Sequence, residues 1–186
     1  TVKAADGHTD LYGFMWKPFD FDSTRRYPII SYVYPGPQTE AIPLEFSVTA
    51  AYNVGLAQIG FVVVTFGHRG GSPMRDKWYH TFGYNNLRDY PLADDKCGIE
   101  QLADRFSFID KSKVGIFGHS GGGFMSTAAL CTYPDFYTAA VSSAGNHDNN
   151  IYNQWWGETH HGVREVKSFE KKTVKDSITG KDTTVS

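Results

Sequence analysis

The sequence predicts an α/β fold in which a mainly parallel sheet lies between helices. Two short and nearly unbroken apolar runs, residues 27–34 and 59–66, are typical of strands that are covered on both faces. Segments with helical spacing follow these runs, and strands that alternate with helices favour parallel pairing. The 186 residues, of which 40% are hydrophobic, are enough to build one domain with a substantial core.

The elements can be assigned in order along the chain. Residues 11–17 are rich in aromatic side chains and predict a strand, which a polar turn at 20–24 ends. A helix between the two apolar runs is indicated by four apolar residues at helical spacing: Val48, Tyr52, Leu56 and Ile59. Further along, we predict a helix at 91–106, a turn at 110–113, a strand at 114–117, a helix at 124–130 and a strand at 136–143.

Charge and composition exclude several classes of function. The formal net charge of −2 and the isoelectric point of about 6.3 leave no basic excess for nucleic-acid binding. The apolar run 59–66 is too short to cross a bilayer, so we expect no membrane segment in this chain. The chain begins at Thr1, and we expect no signal peptide in it. The compartment stays open, with a bacterial periplasmic or extracellular location favoured over a cytoplasmic one.

The side chains that most often bind metal ions do not form a recognisable site. Cys97 and Cys131 each lie in a predicted helix, and we expect two buried free thiols rather than a disulfide. The histidines His147, His160 and His161 lack metal-ligand spacing. We therefore expect no metal and no other cofactor.

The candidate catalytic residue is Ser120, in the sequence Gly118-His119-Ser120-Gly121-Gly122. A chain with 19 glycines contains the pattern Gly-x-Ser-x-Gly by chance about one time in eight. The context is more specific, because the pattern follows a predicted strand and precedes a predicted helix, as in a nucleophile elbow. Such a turn raises the serine hydroxyl above the carboxyl edge of the sheet and leaves the Gly121 N–H free to stabilise an oxyanion. The motif therefore predicts an α/β-hydrolase fold with Ser120 as the nucleophile.

A second donor to the oxyanion is expected from the loop after the first central strand. Tyr34 begins the sequence Tyr34-Pro35-Gly36-Pro37, at the place where this fold completes its oxyanion hole. Removal of one such donor typically lowers the rate about 100- to 1000-fold. A tyrosine that only packs at a strand end is the alternative, and the residues alone favour it.

Three segments in this order resemble the catalytic domain of the prolyl oligopeptidase family, in its dipeptidyl peptidase IV branch. They are Val33-Tyr34-Pro35-Gly36-Pro37, Gly67-His68-Arg69-Gly70-Gly71-Ser72 and Gly118-His119-Ser120-Gly121-Gly122-Gly123. The resemblance implies that Ser120 is the nucleophile of a serine peptidase, that Tyr34 and Gly121 form the oxyanion hole, and that no cofactor takes part. It also implies a structural turn at residues 70–72.

The expected substrate pocket departs from this branch. Gly121 stands where dipeptidyl peptidase IV has an aromatic residue that contributes to the proline pocket, and only Tyr152 and Trp156 match the pocket aromatics of the branch in type. The resemblance implies peptide substrates, substrate binding by Tyr152 and Trp156, and cleavage after proline or alanine. Ordinary helix packing is the alternative for both aromatic residues.

The partners of the nucleophile are not evident in this chain. A serine needs a histidine to take its proton and a carboxylate to orient that histidine, and in this fold they follow in the order Ser, Asp, His. Asp148 with His160 or His161 satisfies that order, but these residues lie in the segment that should line the pocket. The family places both groups on later loops, so we expect them beyond Ser186 and expect the 186-residue chain alone to be inactive.

The resemblance also sets the expected domain organisation. Residues 1–165 correspond to the N-terminal part of an α/β-hydrolase catalytic domain, truncated before its last strands. Residues 166–186 form a polar tail, either an exposed hairpin with strands at 173–174 and 184–185 or a disordered segment. Family members carry a β-propeller, so we expect one upstream; the other partners compatible with the resemblance are a peptide substrate and a second copy of the protein in a homodimer.

Three functions are compatible with these residues. The first is a serine peptidase that forms an acyl-enzyme on Ser120. The second is an esterase for small acyl esters, since the fold does not determine the substrate; the loop at 34–37 disfavours it, because esterases usually carry a His-Gly-Gly-Gly sequence there. The third is a binding or assembly module that keeps the fold without the activity.

Overall fold

The computed structural model describes residues 1–43, 45, 51–87, 89–165, 172–175 and 182–185. The strands in these ranges are β1 (Val2–Lys3), β2 (Asp10–Leu11), β3 (Gly13–Trp16), β4 (Tyr27–Tyr32), β5 (Val62–Phe66), β6 (Ile109–His119), β7 (Ala139–Ser143), β8 (Lys172–Lys175) and β9 (Asp182–Val185). The helices are α1 (Ala51–Gln58), α2 (Lys77–Thr81), α3 (Leu92–Arg105), α4 (Gly121–Thr132) and α5 (Gln154–His161). Within the described ranges, none of these helices combines the length and the apolar character that a membrane crossing requires.

A five-stranded sheet forms the centre of the fold. Its strand order is β3-β5-β4-β6-β7, in which β5, β4, β6 and β7 are parallel and β3 is antiparallel at one edge. The carboxyl ends of the four parallel strands meet at one edge of the sheet, where ligands bind in open α/β folds. The predicted fold class, a mainly parallel sheet with helices, is confirmed.

The main core lies on the side of the sheet that packs against α3 and α4. Along β4, Ile29 and Ser31 are buried, whereas Ile30 and Tyr32 are partly exposed on the other face. β5 is buried along its whole length, as its unbroken apolar run predicts. The helices add Ile99, Leu102, Met125 and Ala129 to the same apolar cluster.

Most predicted elements are present, but several strand boundaries are wrong. β5 begins three residues later than predicted, because Gly60 turns the chain with φ +105° and leaves Ile59 72% exposed. β7 also begins three residues late, because residues 133–137 form a turn in which the amide of Phe136 donates to the carbonyl of Tyr133 at 3.0 Å. The predicted first strand is divided into β2 and β3.

β6 is longer than the predicted strand at 114–117. The predicted turn at 110–113 lies inside β6 as an irregularity of pairing, because Asp110 pairs with Pro28 while Val114 pairs with Ile29. The helix predictions are closer, since α3 reproduces the predicted helix to within one residue at each end and α4 extends the other by a few residues.

The helix before β5 is confirmed as α1, but its buried residues are not the apolar ones whose spacing indicated it. α1 buries Asn53 and Ala57, whereas Tyr52 is 77% exposed; Val48 lies outside the described residues. The reason is an open apolar groove of about 910 Å³ that lies between α1 and the strands β4, β6 and β7. Its lining includes Ile30, Tyr32, Tyr52, Leu56, Phe117 and Val141. The apolar residues of α1 therefore face a surface that the described chain leaves open.

Both cysteines are free thiols, as predicted. The predicted burial is wrong for Cys131, which is exposed, and Cys97 is only partly buried. The last turn of α4, residues 130–132, is exposed throughout, so a cysteine there faces solvent.

The C-terminal segment contains a strand pair. β8 and β9 are antiparallel, with Thr173 opposite Thr184 and Val174 opposite Thr183. This is the pairing that the hairpin alternative requires. Residues 166–171, 176–181 and 186 lie outside the described ranges.

Candidate active site

Ser120 lies in a sharp turn between the end of β6 and the start of α4. Its backbone has φ 56° and ψ −116°, a conformation that a non-glycine residue adopts only when its surroundings impose it. The Ser120 amide donates to the carbonyl oxygen of Ser143 at 2.8 Å, and the Ser120 carbonyl accepts from the amide of Phe124 at 3.0 Å. The backbone therefore has the strained strand-to-helix geometry that the motif predicts.

The glycines beside Ser120 are required by close packing. A side chain on Gly118 or Gly122 would overlap the carbonyl oxygen of Val33, and one on Gly123 would overlap the carbonyl oxygen of Ser143. The turn can therefore lie against the ends of β4 and β7 only because these positions have no side chain.

The contact of the Val33 carbonyl with Gly118 and Gly122 also positions the next residue, Tyr34. The amide of Val33 donates to the carbonyl of Phe117 at 2.9 Å, which holds the end of β4 beside β6. A Cβ atom on Gly122 would lie 3.5 Å from the Tyr34 Cα atom. The structure thus brings the backbone of Tyr34 next to the start of α4, where the N–H groups of the first turn have no partner within the helix. The assignment of Tyr34 and Gly121 as oxyanion donors stays a prediction.

Two contributions to this site were missed from the sequence. The carbonyls of Val33 and Ser143 hold the elbow from opposite sides, and the Ser143 hydroxyl also lies 2.9 Å from Nδ1 of His119. The run of small residues after β7 was a usable signal, since Ala144 has a positive φ of 48° and a Cβ on Gly123 would lie only 2.9 Å from the amide nitrogen of Gly145. Small side chains are needed where a second chain segment approaches the elbow.

The loop after β5 is fixed by charged and aromatic groups. Arg69 forms a bidentate salt bridge with Asp94 of α3, in which its Nη2 atom lies 2.7 Å from Oδ1 and its Nε atom 3.0 Å from Oδ2. Gly70 has φ +92° and lies under the ring of Tyr90, whose hydroxyl donates to the Gly70 carbonyl at 3.1 Å. The implied turn at residues 70–72 thus lies in a loop that is held in place by contacts with Asp94 and Tyr90.

A carboxylate joins this loop to the loop of Tyr34. The side chain of Glu40 lies against Gly67 and Gly71 and accepts a short hydrogen bond from the hydroxyl of Tyr79. Burial raises the pKa of Glu40, and burial also raises the pKa of Tyr79. Both loops at this edge of the sheet are therefore held together by a partly buried acid.

Burial controls the charge of two further groups behind these loops. His68 is completely buried beside Tyr90, and this burial lowers its pKa to about 4, so the imidazole is neutral at pH 7. Asp95 is also completely buried, and its burial raises its pKa to about 6. Neither side chain reaches the surface at which a substrate would bind.

The two predicted pocket aromatics have different environments. Tyr152 is 39% exposed and lines a cavity of about 460 Å³. Trp156 is 8% exposed and belongs to a second apolar cluster with Leu87 and Tyr90. The rings of Tyr152 and Trp156 meet edge to face, with centroids 5.6 Å apart. Substrate binding by either residue stays a prediction.

The alternative triad residues contact neighbours in their own segment, and His160 also contacts Tyr84, with ring centroids 5.9 Å apart. Asp148 accepts hydrogen bonds from the backbone and side-chain nitrogens of Asn150 at 2.8 and 2.9 Å. His160 packs on Trp156 and His161 on the same ring, with centroid distances of 4.9 and 6.1 Å. Within the described part of the chain, neither Asp148 nor His161 hydrogen-bonds to Ser120. The place of the triad partners stays a prediction.

A comparison with known protein families identifies the family of this chain. Residues 46–177 match the sequence profile of the prolyl oligopeptidase family. The chain belongs to this family. The matched range includes Ser120, Tyr152 and Trp156, whereas Tyr34 precedes it.

Curated relatives indicate which members of the prolyl oligopeptidase family this chain resembles. Dipeptidyl peptidase 8 from Homo sapiens is 33% identical over 135 residues, which cover 72% of this chain and 15% of that protein. Prolyl endopeptidase FAP from Mus musculus is 27% identical over 142 residues, which cover 76% of this chain and 18% of that protein. The chain therefore spans less than a fifth of the length of these relatives.

Solved structures agree with the relatives. A candidate dipeptidyl aminopeptidase IV from Bacteroides ovatus superimposes with a TM-score of 0.81 and 30% identity over 87% of this chain and 23% of that one. Dipeptidyl peptidase 4 from Porphyromonas gingivalis shares the fold, with a TM-score of 0.78, 24% identity and coverage of 87% and 22%. The predicted membership of the dipeptidyl peptidase IV-like branch and the α/β-hydrolase fold are confirmed.

Proposed function

We propose that the intact protein is a serine peptidase that hydrolyses peptide bonds through an acyl-enzyme on Ser120. The observation that carries the proposal is the strained backbone of Ser120, with φ 56°, at the carboxyl edge of the sheet and beside the backbone of Tyr34. Strain of this kind is maintained only where the surrounding structure imposes it, and it is common at catalytic residues. The names of the relatives support peptide substrates.

The proposed reaction uses Ser120, Gly121 and Tyr34. The Ser120 hydroxyl oxygen attacks the carbonyl carbon of the scissile bond while a histidine takes the hydroxyl proton. The carbonyl oxygen becomes an oxyanion, to which the Gly121 N–H and the Tyr34 hydroxyl donate hydrogen bonds. The C–N bond then breaks, and the amine leaves with the proton from the histidine. Water attacks the acyl-enzyme by the same route and releases the acid and free Ser120.

We place the histidine and its aspartate in later loops of the intact protein. Their order in this fold, Ser then Asp then His, is compatible with that position. The open apolar groove beside α1 and the position of β7 at the end of the sheet support further elements at this side. A β-propeller upstream and a homodimer belong to the same proposal, on the basis of the family alone.

Dipeptidyl peptidase action with a preference for proline or alanine is the finer part of the proposal. Tyr152 is 39% exposed and lines the cavity of about 460 Å³, and its ring packs edge to face on the buried Trp156. The remaining lining of the Tyr152 cavity is mostly polar and includes Asn149, Asn150, Asn153, Gln154, Glu158 and His161. The aromatic contact is therefore smaller than in a pocket lined by several rings, and alanine should be accepted as well as proline.

A fluorophosphonate probe tests the nucleophile. The 186-residue chain and the full-length protein are treated side by side, each also as the Ser120→Ala variant and as Ser112→Ala, a serine control on the exposed irregularity of β6. We expect labelling of the full-length protein, loss of labelling in Ser120→Ala only, and no labelling of the 186-residue chain.

Each other result points to a different function. Labelling of the 186-residue chain would show that Asp148 with His160 or His161 serves as the base. Absence of labelling in both proteins, when both are folded, would favour a binding module. Hydrolysis of acyl esters without release of coumarin from Gly-Pro and Ala-Ala amides would favour the esterase, and cleavage of N-acetylated peptides would show endopeptidase rather than dipeptidyl peptidase action.

A further inference from the structure

The first turn of α3 carries two adjacent buried carboxylates with different partners. Asp94 faces Arg69 and the loop after β5. Asp95 accepts hydrogen bonds from two hydroxyl groups instead, the Ser31 hydroxyl at 2.5 Å and the Tyr137 hydroxyl at 2.9 Å. All three groups of this second network are buried, with exposures of 2% for Asp95, 0% for Ser31 and 1% for Tyr137.

The two donors to Asp95 come from opposite sides of the strand that leads to Ser120. Ser31 lies on β4, and Tyr137 lies two residues before β7. In the sheet, β6 lies between β4 and β7. Asp95 therefore bridges the two neighbours of β6 across the buried face of the sheet.

Each end of this bridge lies on a chain segment that runs to the elbow. On the β4 side, Ser31 is two residues from Val33, whose carbonyl lies against Gly118 and Gly122. On the β7 side, the amide of Thr138 donates to the carbonyl of Val114 at 2.8 Å, and β7 ends at Ser143, whose carbonyl accepts from Ser120. A change in the spacing of β4 and β7 would thus reach the elbow from both sides.

We propose that Asp95 is a positioning residue for the candidate nucleophile, because its bridge between Ser31 and Tyr137 sets the spacing of the two strands that hold Ser120. The proposal rests on the proposed function for its effect on rate, but not for its effect on structure. A carboxylate suits this role, since one oxygen can accept from each hydroxyl at the same time. Asp95 acts through the backbone of Val33 and Ser143 and touches no reacting atom.

The test uses the full-length protein and removes one hydrogen bond at a time. Ser31→Ala and Tyr137→Phe each delete one donor with little change in volume, and Asp95→Asn keeps one acceptor oxygen and one donor group. Ile99→Val serves as the control, because Ile99 is fully buried one turn further along α3 and outside the bridge. The readouts are kcat and KM for a dipeptidyl coumarin amide, the melting temperature, and hydrogen exchange of residues 30–34 and 114–124.

We expect Ser31→Ala and Tyr137→Phe each to lower kcat roughly 10- to 100-fold with KM unchanged, as for a displacement of catalytic groups by less than 1 Å. The double variant should fall by less than about twofold further, because a bridge with one free end is already broken and the two effects are coupled. Asp95→Asn should lose less rate than either of these single variants, because it keeps both hydroxyl partners and one acceptor oxygen. Amides in both exchange segments should exchange faster in the two single variants but not in Ile99→Val.

The opposite results would overturn the proposal. Multiplicative losses in the double variant, or losses of rate that Ile99→Val matches at an equal fall in melting temperature, would reduce Asp95 to an ordinary core residue. If the wild-type protein does not react with the probe or the substrate, the proposed function is wrong, and hydrogen exchange then decides the positioning role alone. Unchanged exchange of residues 114–124 in Ser31→Ala and Tyr137→Phe would contradict it in that case.

Discussion

The carbonyl oxygen of Val33 occupies the space in which a side chain on Gly122 would begin. The same oxygen lies against Gly118, so the chain on both sides of Ser120 packs against Val33, the residue that precedes Tyr34. The two proposed oxyanion donors, the Tyr34 hydroxyl and the Gly121 N–H, therefore lie on segments that pack directly against each other. A disturbance of this one contact should affect stability and reactivity together.

Gly122→Ala tests this contact. The added methyl group must displace the Val33 carbonyl, so we expect a loss of about 1–3 kcal/mol in the free energy of unfolding, as for other overpacked sites, and loss of probe labelling at Ser120. Gly55→Ala is the matched control, because Gly55 lies inside α1 with no atom within 4 Å of an added Cβ. This control should gain about 0.5–1 kcal/mol from helix propensity. Urea unfolding and labelling check both variants; equal behaviour of the two would contradict the packing argument.

Tyr34→Phe separates the oxyanion role from packing. Loss of the hydroxyl should lower the rate of acylation about 100- to 1000-fold while KM changes little, because the hydrogen bond forms with the oxyanion rather than with the substrate. Tyr32→Phe removes a hydroxyl two residues earlier, from a ring that packs on Phe117 with centroids 5.0 Å apart. We expect the Tyr32 variant to keep the wild-type rate. A similar rate for both variants in stopped-flow acylation would return Tyr34 to the role of a packing residue.

Arg69→Met should destabilise the protein far more than the loss of a surface ion pair. The Asp94 side chain is 0% exposed, and without Arg69 its charge is buried with only backbone donors, which typically costs about 3–5 kcal/mol. Lys3→Met breaks the pair of Lys3 with Asp10, in which both side chains are 48% exposed, and should cost less than about 1 kcal/mol. Chemical denaturation of both variants measures the difference. A small loss for Arg69→Met would mean that water reaches Asp94.

Local patterns in the sequence predicted the parts of the site that depend on local geometry. A glycine-rich turn between an apolar strand and a helix is recognisable without any tertiary information, and Ser120 lies in that turn with the expected backbone. The contacts of Val33 and Ser143 were missed because they depend on the strand order β4-β6-β7, which brings residues 87 and 23 positions away to Ser120. Sequence spacing alone carries no information on that order.

The acidic pair at the start of α3 shows the same limit. Asp94 and Asp95 are typical of a helix N-terminus, where carboxylates interact favourably with the helix dipole. That pattern does not reveal that one side chain reaches Arg69 and the other reaches Ser31 and Tyr137. The exposure of Tyr52 on α1 has a related cause, because apolar spacing identifies a helix but not which surface covers it.

Asp95→Asn should change how stability depends on pH. Burial raises the pKa of Asp95 from 3.8 to about 6, with Ser31 and Tyr137 donating to it and Asp94 beside it. The folded protein therefore holds a proton more tightly than the unfolded chain, and the stability due to this group is full below pH 3.8 and is lost as the pH rises through 6. Relative to Asp95→Asn, the wild type should lose on the order of 3 kcal/mol across this window. Urea titrations of both proteins at pH 4 and pH 7 measure the difference, and parallel changes would show that Asp95 titrates normally.

His68→Leu should act on the same pH range with the opposite sign. The side chain is completely buried against Tyr90, both ring nitrogens are without a hydrogen-bond partner among the described residues, and burial lowers the pKa to about 4 although Asp94 raises it. The unfolded chain therefore binds a proton at a higher pH than the folded protein, so the stability due to this group is present above pH 6.5 and is lost as the pH falls through 4. Leucine has a similar volume and no proton to bind, so the variant should stay within about 1.5 kcal/mol of the wild type at pH 7. Between pH 6.5 and 4 the wild type should lose on the order of 3 kcal/mol more than the variant. Equal losses in urea titrations at these two pH values would mean that His68 gains a proton in the folded protein as readily as in the unfolded chain.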